Sequence, residues 1–176
     1  MTIVKWIRVG LIGFSALLAN VNVSAGSDTF LSDEIIPDPK LSPRQVVELQ
    51  LEALRHNDKR DRGIAVAFRF ASPTNRAQTG PLERFSSMIR AGGYALMLNY
   101  REAVFEEAQI EGRNALQTVM LVGSHQTVRY VFHLGLQSKA PYDDCWMTEG
   151  VSVSKVEGSM AQLVPTHGFD YVVAAR

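Results

Sequence analysis

Between Ser72 and Arg84 the chain reads SPTNRAQTGPLER, the stretch in which side chains able to hold a ligand lie closest together. Asn75, Arg76, Thr79 and Arg84 surround the start of a helix predicted to open at Pro81, with Gly80 at its cap. Free N–H groups and the positive end of the helix dipole meet at such a start. A small anion or carboxylate could be held there by the amides and by one or two arginines. The same residues also read as scaffolding: Thr79 or Gly80 caps, Pro81 starts the helix, and the arginines make weak, solvated pairs with Glu83 and other surface acids. Asn75, Arg76, Thr79, Gly80 and Arg84 are therefore the candidate ligand-binding set, and no catalytic residue is assigned.

Acid–base catalysis would need an Asp, His or Tyr in a pocket, with a shifted pKa and a second polar group facing it. His56 with Asp58, and Tyr130 or His133, come nearest. His56 and Asp58 are two apart at a helix end, so they share no helical face, and Asp58 is explained as a cap. His133 stands opposite the apolar face of its strand, where a solvated or interface histidine is expected. Histidines 56, 125, 133 and 167 have no ligand spacing, and Asp143 with Asp144 has no partner motif, so no metal is expected. Nucleophile-elbow, phosphate-loop and Cys-His patterns do not occur, and no cofactor is expected either. The single cysteine, Cys145, cannot form an intrachain disulfide and reads as a small buried hydrophobe beside Trp146.

What positions these residues is an α+β layout. Ser42, Pro43 and Gln45 form an N-cap, a first-turn proline and a capping-box partner, with Leu41 and Val46 as a staple. Val47, Leu51 and Leu54 repeat at i, i+4 and i+7 and build one apolar stripe. A second helical face, Ile64, Ala67, Phe68 and Ala71, ends before Ser72 and Pro73. The third opens at Pro81, carries Leu82, Phe85, Met88 and Ile89 on one side, and ends at Gly92 and Gly93. From Tyr94 to Tyr100 the period changes to two, and strands are predicted there and over 103–110, 115–122, 127–137 and 145–156. Short connections make them antiparallel. Val128, Tyr130, Phe132, Leu134 and Leu136 share the core face of one strand. Val119 and Leu121, apolar opposite Leu116, Met120 and Val122, suggest cover on both faces, by the C-terminal tail or by a homodimer through the outer sheet face. Residues 169–175 read as one more strand.

Lys5 and Arg8 precede an apolar run over Val9–Leu18 that Asn20 and Asn22 interrupt, and Val23-Ser24-Ala25 closes it with small residues. This is the pattern of a signal peptide cleaved after Ala25, too short for a membrane anchor. Residues 26–40, with Pro37 and Pro39, read as a flexible leader, and 41–176 as a single domain that needs no metal or disulfide to build a core. An exported, periplasmic or secreted protein with no stable membrane anchor follows. Removing residues 1–25 takes away two of the 18 basic residues and none of the 18 acidic ones, leaving a formal charge of −2. Such a chain has no electrostatic attraction to nucleic acid.

Three blocks carry a resemblance: LSPRQVVELQLEALRHND over 41–58, GIAVAFRFASPTNRAQTGPLERF over 63–85, and CWMTEGV over 145–151. In them the chain resembles a bacterial family of exported proteins, the domain of unknown function 4864. Helices first and a meandering sheet afterwards look like the cone of the nuclear transport factor two-like superfamily, in which three N-terminal helices pack on a curved antiparallel sheet (a cystatin-like cone). The resemblance implies that fold and a pocket between helices and sheet, and it transfers no catalytic residue. A small-ligand-binding or interaction domain is expected, with a small-molecule isomerase or hydrolase of the same fold as the alternative.

Overall fold

The computed structural model describes Leu31 and residues 34–155, so the signal peptide and the strand expected over 169–175 lie outside the described residues. The first helix, α1 (Pro43–Arg55), begins as its sequence predicts. Ser42 Oγ accepts from the Gln45 amide at 3.3 Å, and Gln45 Oε1 accepts from the Ser42 amide at 2.9 Å. After α2 (Arg62–Arg69), and before the helix expected from Pro81, comes one more helix, α3 (Pro73–Thr79). Ser72-Pro73 ends one helix and also starts the next, because Ser is a good N-cap and Pro is preorganised for the first helical position. Ser72 Oγ accepts from the Asn75 amide at 3.1 Å. The helix expected from Pro81 is α4 (Leu82–Ile89), with Phe85 and Ile89 buried.

The segment expected as a strand at Tyr94–Tyr100 is instead a 3-10 helix, Gly92–Leu98. Leu96 and Met97 are both buried, which a strand with one buried face does not allow of neighbours. The run Tyr-Ala-Leu-Met-Leu is apolar almost throughout, so its alternation carried no real period. Among the described residues five strands follow: β1 (Glu102–Phe105), β2 (Gln109–Glu111), β3 (Asn114–Val122), β4 (Thr127–Leu136) and β5 (Trp146–Lys155). The strand expected over 103–110 is thus two short ones, both antiparallel to β3. The sheet runs β1-β3-β4-β5, all antiparallel, with one irregularity: His133 pairs with Gly150 but Leu134 with Thr148, so Glu149 is an extra residue in β5.

One core joins the helices to the sheet. Val46, Val47, Leu51 and Leu54 of α1 meet Val119, Leu121, Tyr130 and Phe132. The face of β4 expected to be core is so, Leu136 being only half-buried. Val119 and Leu121 are wholly buried, and this chain's own helices cover them. The two-copy assembly loses the motivation they gave it. Within the segment 26–40, Ile35 packs against the core and its carbonyl accepts from Arg69 Nη1 at 2.6 Å.

Candidate functional site

A cavity of about 250 Å3 lies between the helices and the middle stretches of β4 and β5, around Phe132 and Thr148 to Val151. Leu54, Phe85, Met88, Ile89, Met97 and Phe132 supply its apolar wall, and Gln50, Asn75, Gln78, Thr79 and Thr148 its polar side. Thr148 is the hub. Its carbonyl accepts from the Ser72 amide and from Asn75 Nδ2, both at 2.9 Å, and its own amide donates to Phe70 O at 2.9 Å. Its hydroxyl donates to Gln50 Oε1 at 2.8 Å, while Gln50 Nε2 donates to Ala67 O at 3.1 Å. Ala71 and Thr148 form a parallel bridge, so the turn into α3 lies alongside β5. The three blocks of sequence singled out above therefore meet at one residue.

The extra residue in β5 re-aims a side chain, as such bulges do. Glu149 accepts from Ser72 Oγ at 2.7 Å and from Gln137 Nε2 at 2.9 Å. Its Oε1 lies over Gly135, 2.8 Å from where a Cβ there would stand. Tyr94, the other titratable residue of the lining, donates to Val151 O at 3.0 Å. Lys, Arg, His, Asp and Cys are absent from this lining among the described residues.

Of the five candidate residues, the structure brings Asn75 and Thr79 to the cavity wall and leaves the other three outside its lining. The Arg76 guanidinium stacks 5.2 Å from the Tyr142 ring centroid and donates to Tyr142 Oη at 3.0 Å. Gly80 caps the C-terminus of α3, and its N–H donates to Arg76 O at 2.8 Å. Arg84 is exposed on α4. The Gly80 amide expected to be free for an anion is not free, because α3 already engages it through Arg76 O.

The acid–base candidates lie elsewhere. His56 caps α1, with Nδ1 2.9 Å from Glu52 O, and Asp58 Oδ1 accepts from the Arg60 and Arg62 amides. Tyr130 donates to Gly93 O at 2.5 Å, and burial, with Tyr94 nearby, pushes its hydroxyl up to about 12. His133 is exposed and lies 3.0 Å from Ser152 Oγ. Cys145 is buried, and burial followed by the charges of Asp38, Asp143 and Asp144 raises its thiol. Its reactive thiolate form is correspondingly disfavoured.

A second hollow, of about 710 Å3, is an open groove between α1 and β1. Among its polar groups, Arg44 pairs with Glu48 at 2.7 Å, and Tyr100 donates to Glu52 at 3.0 Å. Burial and Glu52 raise the Tyr100 hydroxyl well above its usual value. Gln50 and Thr148 escaped the sequence reading, although Gln50 stands three residues after Val47 and four before Leu54, a polar side chain inside an apolar stripe. Thr148 gave no comparable signal. Among the described residues no group of three His, Cys, Asp or Glu is placed to hold a metal ion, and no helix is long and apolar enough to cross a membrane.

Comparison with curated proteins and with solved structures finds no match. Residues 38–161 match the family described as Domain of unknown function (DUF4864), and the chain belongs to that family.

Proposed function

We propose that this is an exported small-ligand-binding domain of the nuclear transport factor two-like cone type, which uses the cavity between its helices and β5. The observation that carries the reading is the cavity's composition: an apolar wall with a compact polar side, the usual build of a small-molecule site. At about 250 Å3 it lies just below the roughly 300–1,000 Å3 of pockets for drug-sized ligands, which fits a small ligand. Binding is favoured over an isomerase or hydrolase because a general acid or base needs a free titratable group at the reacting atoms. Tyr94 and Glu149 are both tied to neighbours.

The methionines give the test. Met88 and Met97 line the cavity, whereas Met120 stands on the other face of the sheet. Adding toluene should shift the methyl resonances of Met88 and Met97, leave Met120 unmoved, and raise the melting temperature with concentration. Unmoved resonances at all three would reject the binding reading. Export is tested separately by intact-mass analysis of secreted or periplasmic material, which should begin at Gly26; a chain still beginning at Met1 would overturn it.

A further inference from the structure

Thr148 O is an acceptor, so the Asn75 atom 2.9 Å from it must be the amide nitrogen, and Oδ1 is thereby turned the other way. The nearest donor to that oxygen is Thr79 Oγ1 at 3.4 Å, but the single hydroxyl hydrogen of Thr79 goes to Asn75 O at 2.8 Å. Asn75 Oδ1 is left without a good donor although the residue is only 8% exposed, and the lone pairs of Thr79 Oγ1 stand beside it. An acceptor buried without a donor is destabilising, and a ligand that supplies the hydrogen recovers this. Two neighbouring acceptors ask for a donor.

Charge narrows the head group further. A carboxylate would bring acceptors against acceptors, with no Lys, Arg or His in the lining among the described residues to offset the cost of burying its charge. An ammonium would match the hydrogen bonding, yet among the described residues the lining's one carboxylate, Glu149, already accepts from Ser72 and Gln137 over Gly135, which leaves less of it to offset the cost of burying a cation. The expectation of an anion rested on Arg76, Arg84 and the Gly80 amide, which lie outside the cavity lining.

We propose that the cavity takes an uncharged ligand whose polar head is a hydrogen-bond donor, an alcohol or a carboxamide, seated against Asn75 Oδ1 and Thr79 Oγ1 with its apolar body toward Phe85, Met97 and Phe132. This rests on the binding reading above, and a ring of constant size with a changing head group separates the two. Calorimetry on the purified protein with toluene, benzyl alcohol, benzamide, benzoate and benzylammonium should show the two neutral donors binding about three- to tenfold more tightly than toluene, the worth of one hydrogen bond. Benzoate and benzylammonium should bind more weakly than toluene. Toluene binding as tightly as both neutral donors, or either ion binding more tightly than they do, overturns the head-group assignment and leaves the cavity reading standing. Failure of every probe, toluene included, removes the cavity reading itself. In Thr79→Val the preference for benzyl alcohol over toluene should shrink with toluene affinity unchanged; an equal loss for both would mark Thr79 as packing and overturn its role. The wild-type series decides the matter should that variant not fold.

Discussion

Two polar networks sit at opposite ends of α2, and they differ in what they leave over. At the N-terminal end, Asp61 accepts from Asn57 Nδ2 at 3.0 Å, from Ser86 Oγ at 2.6 Å and from Arg90 Nη2, joining α1, α2 and α4. Asn57 Oδ1 accepts from the Ile64 amide at 3.0 Å, and Asp58 binds Arg62 through both its carboxylate oxygens. The carboxylates and the Asn57 amide are all engaged within the corner. At the C-terminal end the Thr148 hub engages Gln50 and the backbone of the turn, but it leaves Asn75 Oδ1 without a good donor at a cavity wall. A closed network fixes an angle between helices, whereas an open one facing a cavity leaves a hydrogen-bonding group that a ligand could use.

The comparison is broken most forcefully at Gly63. A Cβ there would lie 2.0 Å from Ala53 O and 2.9 Å from the Asn57 Cα, both backbone atoms that cannot step aside. Gly63→Ala should destabilise the protein by about 3 kcal/mol, the upper end of overpacking costs, read as a lower midpoint in urea. A wild-type midpoint would mean that α1 and α2 are not this close. Thr148→Val strikes the other network more gently. It leaves Gln50 Oε1, on a residue only 5% exposed, without its donor, and about 2 kcal/mol should be lost. A change below about 0.5 kcal/mol, the ordinary scatter of surface substitutions, would remove Thr148 as the hub.

These two ends were unequally legible in the sequence. The start of α1 could be read because its signals are local: Ser42, Pro43 and Gln45 act on each other's backbone within one turn. Asn75 and Thr79 were placed in a ligand-binding set for a different reason from the one that brings them to the cavity. The signals for their helix, Ser72 and Pro73, were read as a stop when they were also a start. Gln50 and Thr148 lie 98 residues apart, and nothing local says that they meet. The 3-10 helix was missed because an all-apolar run fixes no period, so tertiary packing of Leu96 and Met97 decided its form.

Acid sharpens the contrast, since the closed corner is built on two carboxylates with lowered pKa, whereas the Thr148 hub is built on amides and a hydroxyl. The Asp61 carboxyl is held below its usual value first by the Ser86 hydroxyl, then by Asn57 and Arg90. Asp58 is lowered in the same way by Arg62. A depressed folded-state pKa contributes stability that is present above the ordinary value of 3.8 and is lost as the pH falls through the lower folded value. Asp61→Asn keeps a residue type that tolerates the left-handed φ of 58° but removes the charge. It should cost about 1 kcal/mol at neutral pH and flatten stability against pH below about 4. Acid unfolding curves that superimpose on wild type would show that the corner does not act through this carboxylate.

The smallest effect is expected at Gly150, and it reverses the sign expected at Gly63. Gly150 sits beside Glu149 at the irregularity of β5 and lines the cavity, and a Cβ built on it meets no atom within 4 Å. Its φ lies outside the left-handed region, so alanine fits its backbone without strain. With neither clash nor strain in the folded state, the main consequence of Gly150→Ala is a less flexible unfolded chain. Such substitutions stabilise by about 0.4–1 kcal/mol. The lower end is expected here, because the bulge already bends the strand at this point. Urea unfolding at neutral pH reads the difference against Gly63→Ala directly. A destabilised Gly150→Ala would mean that the space beside β5 is filled, and the open end of the comparison would then be closed as well.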